Sequence, residues 1–362
     1  MGNAALKAAA QGHRFIMTPA RLMYFIRYQG PQWFEPLTYF PGGSLKDVYE
    51  YEPVQKSWPA EYEALLMGVQ ACMWTEFCSS PHDVEHQLFP RLTALAEVAW
   101  CQKDSKSWPE YLARLDAFLP RLDEQGIHYA RSMYNIQQTV TPVDGSLQVS
   151  LECIRPDVAI RYTTDGSEPT AASKLYDGPF TLGHDVANVK CATFSAGKRM
   201  GEILELPLKW NKATAKNIVN ATPAERLLVN GLHGSLKQTD MEWCTWADCS
   251  HVGVTLDLGA AELLNNITLG FINNFGMAVH RPASLAVTIS DDNITFSTVG
   301  ERTFTPEEIY LEGSCRIDER FDLGGRTARY VRIEFKGPAP CPDYHARPDK
   351  IVQVYMDEIT IE

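Results

Sequence analysis

Trp74 and Glu76 stand two positions apart at the end of an apolar run, GVQACMWTEF (Gly68 to Phe77). An indole face stacks on the apolar side of a sugar ring, and a carboxylate accepts hydrogen bonds from sugar hydroxyls. The pairing therefore suits carbohydrate, although a core Trp beside a surface Glu has the same spacing. A second group lies in IMTPARLMYFIRYQGPQWFEP. Tyr24 follows an apolar run and a proline turn, where its hydroxyl could donate to a carbonyl oxygen. Trp33 and Phe34 could wall a binding site or pack a long loop.

Such residues need elements that hold them. HRFIM (His13 to Met17) and LLMGVQACMW (Leu65 to Trp74) have the length of buried strands. Side chains at the carboxyl ends of such strands face the mouth of an α/β barrel. A loop rich in Pro, Gly and aromatics, Pro31 to Pro59, separates them, and loops of that length in a compact domain tend to be functional. Two helices follow. Leu88, Leu92, Leu95, Ala96 and Ala99 recur at helical spacing as one apolar stripe, with Pro90 setting its start or a kink. The second helix opens with Ser107 and Glu110 in capping-box spacing, buries Leu112, Leu115, Leu119 and Leu122, and ends at Gly126. Strand, loop, strand, helix, helix reads as part of an α/β architecture.

The 362 residues suggest two or three domains, and 45% hydrophobic content allows large cores. A formal net charge of -12 with no basic run argues against nucleic acid as a partner. No stretch is long and apolar enough to span a bilayer as a helix, and the opening MGNAALKAAAQGHRF lacks a signal-peptide centre. It reads as the inside of an amphipathic helix, hence as a fragment or a late gene start. Nine cysteines include no Cys-x-x-Cys, so buried thiols are expected, with one or two disulfides if the protein is exported. The Asn-x-Thr triplets at Asn220, Asn266 and Asn293 decide nothing.

From about residue 137 the pattern turns to strands. AIRYTTDGSEPT alternates Ile160, Tyr162 and Thr164 before a turn at Asp165-Gly166. Further on, Leu285, Val287 and Ile289 alternate, as do Val331, Ile333 and Phe335, with a turn at Asp291-Asp292-Asn293. The expected architecture is multidomain α/β plus all-β. It comprises a partial (β/α)8 barrel over 1–136, a small immunoglobulin-like β-sandwich over 137–215 and a β-sandwich or jelly roll over 216–362.

GVQACMWTEF followed by FPRLTALAEVAW resembles the end of the catalytic domain of family 20 glycoside hydrolases, the β-N-acetylhexosaminidases. GHRFIMTP with Tyr24-Phe25 and Tyr28-Gln29 resembles the strand and loop before it. The resemblance covers residues 1–136 and implies the last two strands of an eight-stranded barrel. It implies substrate-assisted retaining catalysis, in which the 2-acetamido oxygen of terminal N-acetylglucosamine or N-acetylgalactosamine attacks the anomeric carbon. A Glu is the general acid and a neighbouring Asp steadies the acetamido nitrogen. Tyr24 would then orient the acetamido group, Trp74 would line the pocket beneath the sugar, Glu76 would hold its hydroxyls at positions four and six, and Trp33 would wall the site. The family's Asp-Glu pair is expected upstream of this chain, and Asp83, Glu85 and Glu97 are no substitutes. Where the family has Asp two residues after the Tyr, this chain has Ile26, which cannot accept a sugar hydroxyl. The chain alone is expected to be inactive.

IRYTTDGSEPT followed by Tyr176 and Gly178 to Phe180 resembles the small β domain after the catalytic domain in chitobiase-like proteins. LLVNGLHGS, VTLDLG, RPASLAVTISDDNITFSTVG, ARYVRIEF and MDEITIE, in that order, resemble discoidin-like (coagulation factor type C) domains. That resemblance implies a carbohydrate-binding module with Trp243, Trp246 and His280 as ligand candidates. Relatives with an acid at the position of Asn230 hold structural calcium. Asn230 keeps a carbonyl oxygen and Glu358 adds a carboxylate, so the resemblance leaves a structural calcium site open, with a weak or absent one at least as much to be expected as an occupied one. No cofactor is required.

The expected partner is N-acetylhexosamine-containing glycan, and the expected compartment, by resemblance, is periplasm or cell surface. Two parallel strands cannot bury both faces without neighbours, so self-association through the incomplete barrel is expected as well. The alternative is a non-catalytic carbohydrate-binding protein with a degenerate barrel remnant, and a structural protein without sugar affinity is the third reading.

Overall fold

The computed structural model describes residues 3–38, 41–54 and 57–362. It divides into two compact units, which cut the chain differently from the three expected segments. One comprises residues 1–137, 152–160 and 192–203, the other residues 138–151, 161–191 and 204–362.

In the first unit, β1 (Phe15–Met17) and β2 (Leu66–Val69) form a parallel pair, shorter than the apolar runs that contain them. Gly68 sits in the register with φ 145°, a backbone conformation that side chains rarely adopt. Among the described residues this sheet has only these two strands. Phe15 and Met17 bury their side chains with Ala9 of the helix Asn3–Ala10, against Trp58, Tyr62 and Leu65. The loop between the strands is not bare. It carries a short 3-10 turn at Gln32–Phe34 and a helix at Leu45–Tyr49 whose Ser44 and Asp47 form a reciprocal cap.

Pro81–Leu88 forms its own helix, capped by Ser80 and Asp83, and a separate helix spans Arg91–Trp100. The break at Phe89-Pro90 resets the helical phase. The buried side of the second helix is therefore Arg91, Ala94, Leu95 and Val98, while Leu92, Ala96 and Ala99 are exposed. This corrects the expected single stripe. The helix Trp108–Glu124 buries Leu112, Leu115, Leu119 and Leu122 as its period predicts, together with Tyr111. Ser107 takes the N-cap position but makes no side-chain cap bond, contrary to the box read from the sequence. Gly126 closes the helix with φ 69°.

The strands from residue 137 onward form sheets in which the pairings 147–149 with 180–182, 188–191 with 204–207 and 252–274 with 314–336 are antiparallel. One has the order 137–143, 146–152, 180–182, and a five-stranded one is built around Asn188–Ser195. In the second unit a seven-stranded sheet orders 244–245, 355–361, 252–274, 314–336, 284–290 and 297–303, with 217–218 added to 252–274. Leu285, Val287, Ile289, Val331, Ile333 and Phe335 all point into its core. The turn at residues 291–293 forms as expected. Asp292 Oδ1 accepts the Ile294 and Thr295 amides at 2.8 Å, and Asn293 takes φ 60°. The nine cysteines are all free thiols. No helix of the described residues is long and apolar enough to cross a membrane.

Candidate functional site

Parallel pairing continues past the ends of β1 and β2. Gln70 N–H donates to Met17 O at 3.1 Å, Cys72 N–H to Met23 O at 2.7 Å, and Phe25 N–H to Cys72 O at 2.8 Å, making an isolated bridge between Tyr24 and Cys72. Two chain segments running side by side in one direction deliver their next residues to one rim. There the Tyr24 hydroxyl donates to Glu76 Oε1 at 2.8 Å. Glu76 is exposed, and Trp74, five residues past the end of β2, is 62% exposed. The rim thus offers an aromatic face, a carboxylate and a phenol to solvent. Trp33 is half-buried and meets Phe34 edge-on at 6.4 Å. A hollow of about 470 Å³ in this unit, lined by residues including Tyr28, Asp47, Trp108 and Asn135, contains none of Tyr24, Trp74 or Glu76. Two strands make a rim and not an enclosed cavity.

The segment bearing Tyr24 is fixed from behind. Ile26, the position where the resemblance places a sugar-binding Asp, is 0% exposed, and its carbonyl accepts from the Thr38 hydroxyl. The next anchor is Arg91, a fully buried arginine that the sequence reading passed over. Its guanidinium donates to Phe25 O, to Gln87 O at 2.9 Å and to Gly43 O at 3.4 Å, and lies 4.6 Å from the Phe25 ring centre. Burial pushes its pKa down to about 10, with Glu35 acting in the opposite sense. Arg91 therefore ties the carbonyl next to Tyr24 to the loop and the helices behind it.

In the second unit, two of the three ligand candidates are core residues. Trp243 is 5% exposed and its indole N–H donates to Ser235 O at 2.9 Å. His280 is fully buried, with Nδ1 2.7 Å from Asn273 Oδ1. Trp246 is half-buried, packs edge-on against Phe335 at 5.1 Å and donates to Glu225 at 3.0 Å. Trp243 and His280 offer no open ring face, which corrects the expectation of an aromatic platform at these two positions. A polar cluster missed from sequence lies around buried Asp357, whose Oδ2 accepts from Gly234 N at 3.0 Å and from Arg316, with His233 Nδ1 at 3.3 Å. Burial foremost, then Arg316, push His233 down to about 4. No spacing in the sequence announces contacts between residues so far apart.

Asn230 and Glu358, named for calcium, are buried together with Glu242. Asn230 turns its amide nitrogen to Glu242 Oε2 at 2.8 Å, and its oxygen accepts Leu232 N–H at 2.9 Å. Gln138 donates to the other Glu242 oxygen at 3.0 Å, and both Glu358 oxygens accept Gly231 N–H at 3.2 Å. Burial raises the pKa of both carboxyls, that of Glu358 well above the ordinary range. Calcium wants six to eight oxygens and ionised carboxylates. Here donors occupy the oxygens and burial favours the protonated acids, so as arranged these groups do not fit the ion.

Against known proteins, residues 1–103 match the family "Glycosyl hydrolase family 20, catalytic domain", and residues 138–205 match "Chitobiase/beta-hexosaminidase C-terminal domain". The chain is 30% identical to a beta-hexosaminidase of Porphyromonas gingivalis over 55% of its own length and 26% of the relative's. It is 29% identical to a beta-N-acetylhexosaminidase of Cellulomonas fimi over 34% of the chain and 25% of the relative. Among solved structures, the family 20 exo-β-N-acetylglucosaminidase of Vibrio harveyi in complex with N-acetylglucosamine is 34% identical, with a TM-score of 0.31, over 35% of this chain and 20% of that one. The chain thus spans about a quarter, or less, of the length of these relatives. Residues 1–103 carry a fragment of a family 20 glycosyl hydrolase catalytic domain, and residues 138–205 a chitobiase/β-hexosaminidase C-terminal domain.

Proposed function

We propose that this chain supplies the sugar-binding rim of an exo-β-N-acetylhexosaminidase acting on terminal N-acetylglucosamine or N-acetylgalactosamine by substrate-assisted, retaining catalysis. The observation that carries the reading is the meeting of Tyr24 and Glu76 at 2.8 Å beside exposed Trp74, at the same end of two parallel strands. In the sugar-free arrangement the Tyr24 hydroxyl donates its hydrogen bond to the carboxylate. A bound sugar exchanges that partner. Tyr24 donates to the acetamido oxygen and orients its attack, Glu76 is released to accept from the hydroxyls at positions four and six, and Trp74 covers the ring's apolar side. Residues 1–103 contain no adjacent Asp and Glu. The general acid and its Asp neighbour are therefore expected outside this rim, and the chain by itself binds without cleaving.

The test uses the purified chain. Titration with N-acetylglucosamine is expected to perturb tryptophan fluorescence, and Trp74→Phe to remove most of that response. A chromogenic N-acetyl-β-glucosaminide is expected to remain intact. Turnover by the chain alone at the rate of a whole family 20 enzyme overturns the division of labour, and a fluorescence response unaltered by Trp74→Phe overturns the site. The second reading, a non-catalytic carbohydrate-binding protein, is favoured by Ile26, which removes a hydroxyl contact from the site. Transcript sequence upstream of Met1 separates the two: an in-frame Asp-Glu pair at a strand end supports the enzyme. The β-rich region over 216–362 is proposed to be discoidin-like. Its Asp357, Arg316 and His233 cluster, and not the buried tryptophans, is then the place to look for a polar ligand.

A further inference from the structure

His280, Cys341 and His345 come from two distant stretches of chain and bury their side chains together. His280 stands between the turn Phe275–Met277 and the strand Ser284–Ser290. Cys341 and His345 lie, with three residues between them, in the long connection from the strand Ser314–Lys336 to the strand Tyr355–Ile361. Their exposures are 0%, 2% and 3%, and the potential donor atoms all lie within 4.8 Å of one another. We propose that these three side chains bind a thiolate-preferring late transition-metal ion, zinc(II) first among them.

The orientation of His280 is fixed from outside the cluster. Asn273 uses its amide nitrogen to donate to Leu311 O at 2.8 Å and Gly313 O at 3.1 Å, which turns its carbonyl oxygen toward His280 Nδ1 at 2.7 Å. Nδ1 therefore holds the ring proton, and Nε2 presents a bare lone pair. An outer hydrogen bond that sets the tautomer in this way is what metal-binding imidazoles ordinarily have. His280 Nε2 lies 3.0 Å from His345 Nε2. Tetrahedral zinc, with bonds of about 2.0–2.1 Å to nitrogen and 2.3 Å to sulfur, separates its ligands by roughly 3.3–3.7 Å. The two nitrogens, at 3.0 Å, have to part slightly, and the sulfur lies within 4.8 Å of both. Phe275, whose ring centre is 4.0 Å from that of His345, and Tyr310, 5.2 Å from His280, wall the cluster with rings. Nitrogen and sulfur donors select zinc or copper over calcium or magnesium.

Without an ion, Arg347 N–H donates to His345 Nδ1 at 2.9 Å, and the His345 proton sits on Nε2, pointing at His280. Metal entry moves that proton to Nδ1 and opens the Arg347 bond. The Cys341 S–H bond breaks, its proton leaves to solvent, and the sulfur's electron pair forms the metal–sulfur bond. The ion would pin the connection after residue 336 to the body of the sheet.

Cobalt(II) reads this out. One equivalent added to the chelator-treated full chain is expected to give a near-ultraviolet thiolate-to-cobalt band and tetrahedral visible bands, both displaced by zinc(II). Cys341→Ser is expected to abolish the thiolate band, His280→Gln to weaken cobalt binding roughly 100-fold or more, and Cys101→Ser, which changes an exposed thiol, to alter nothing. Absence of the band, or its survival in Cys341→Ser, overturns the site. Because buried substitutions can prevent folding, zinc-edge X-ray absorption on the unmodified chain with one equivalent of zinc provides a second reading. One sulfur and two imidazoles support the site, and any other sulfur count overturns it.

Discussion

Arg91 is the residue on which the candidate rim depends most, and Arg91→Ala puts a magnitude on that dependence. The substitution removes the donors to Phe25 O and Gln87 O, and the longer bond to Gly43 O. A buried carbonyl left without a partner costs roughly 1–3 kcal/mol. The two shorter bonds alone therefore amount to about 4 kcal/mol. Two stem methylenes add about 1.6 kcal/mol of lost burial, and the cation over the Phe25 ring at 4.6 Å about 1 kcal/mol more. Against this, burying the charge is itself costly. A pKa lowered from 12.5 to about 10 corresponds to roughly 3 kcal/mol, which the alanine variant regains. The net expectation is a loss of about 3 kcal/mol. Arg91→Met, which keeps the stem and creates no cavity, is expected to lose roughly half as much. The assay is urea unfolding of the first unit, with amide exchange at Phe25 and Cys72 as a local readout, because these amides hold the parallel ladder. The reasoning fails if Arg91→Ala costs under about 0.5 kcal/mol while exchange at Phe25 and Cys72 stays unchanged.

Tyr24→Phe deletes the hydroxyl at the rim and is expected to weaken N-acetylglucosamine binding about five- to tenfold, measured by NMR titration with the fold intact by circular dichroism. Glu358 carries a pKa raised above its unfolded value. Its stabilising contribution is thus complete below the unfolded pKa and is lost as pH rises through the folded one. His233 and His280, lowered to about 4, act in the opposite direction, adding stability as pH rises from 4 toward 6.5. Comparison of urea midpoints of the unmodified chain and Glu358→Gln between pH 5 and pH 8 isolates the carboxyl: the variant is expected to lose less stability with rising pH. Millimolar calcium is expected to leave the melting temperature unchanged. Asn230→Asp, which replaces an amide donor by a third buried carboxyl beside Glu242 and Glu358, is expected to destabilise the chain by roughly 3 kcal/mol and to make its melting calcium-dependent.

What the sequence makes legible follows from which forces are local. Leu112, Leu115, Leu119 and Leu122 recur at helical spacing, and the helix buries them in that order. Val331, Ile333 and Phe335 alternate, and the strand buries them likewise. The stripe from Leu88 to Ala99 misleads because it carries one helical phase across a break, so Leu92 lands in solvent. Arg91 reads as a surface residue, since nothing local shows that three carbonyls from other elements converge on it. Trp243 reads as a ligand platform because residue type does not reveal that Gly234 leaves room for its ring to sit inside. The Tyr24–Glu76 contact spans fifty-two positions and was legible only through family resemblance.

One feature of the fold bears on how samples of this protein age. Each strand of the pair β1–β2 is paired on one side only among the described residues, and Ile16 and Met67 on these strands are exposed. An open backbone edge accepts another strand from any molecule that presents one. Loss of free protein on storage should then follow collisions between copies and rise with the square of concentration. A dilute stock outlasts a concentrated one, and a lysine placed at Ile16 or Met67 slows the clock without touching the sugar rim.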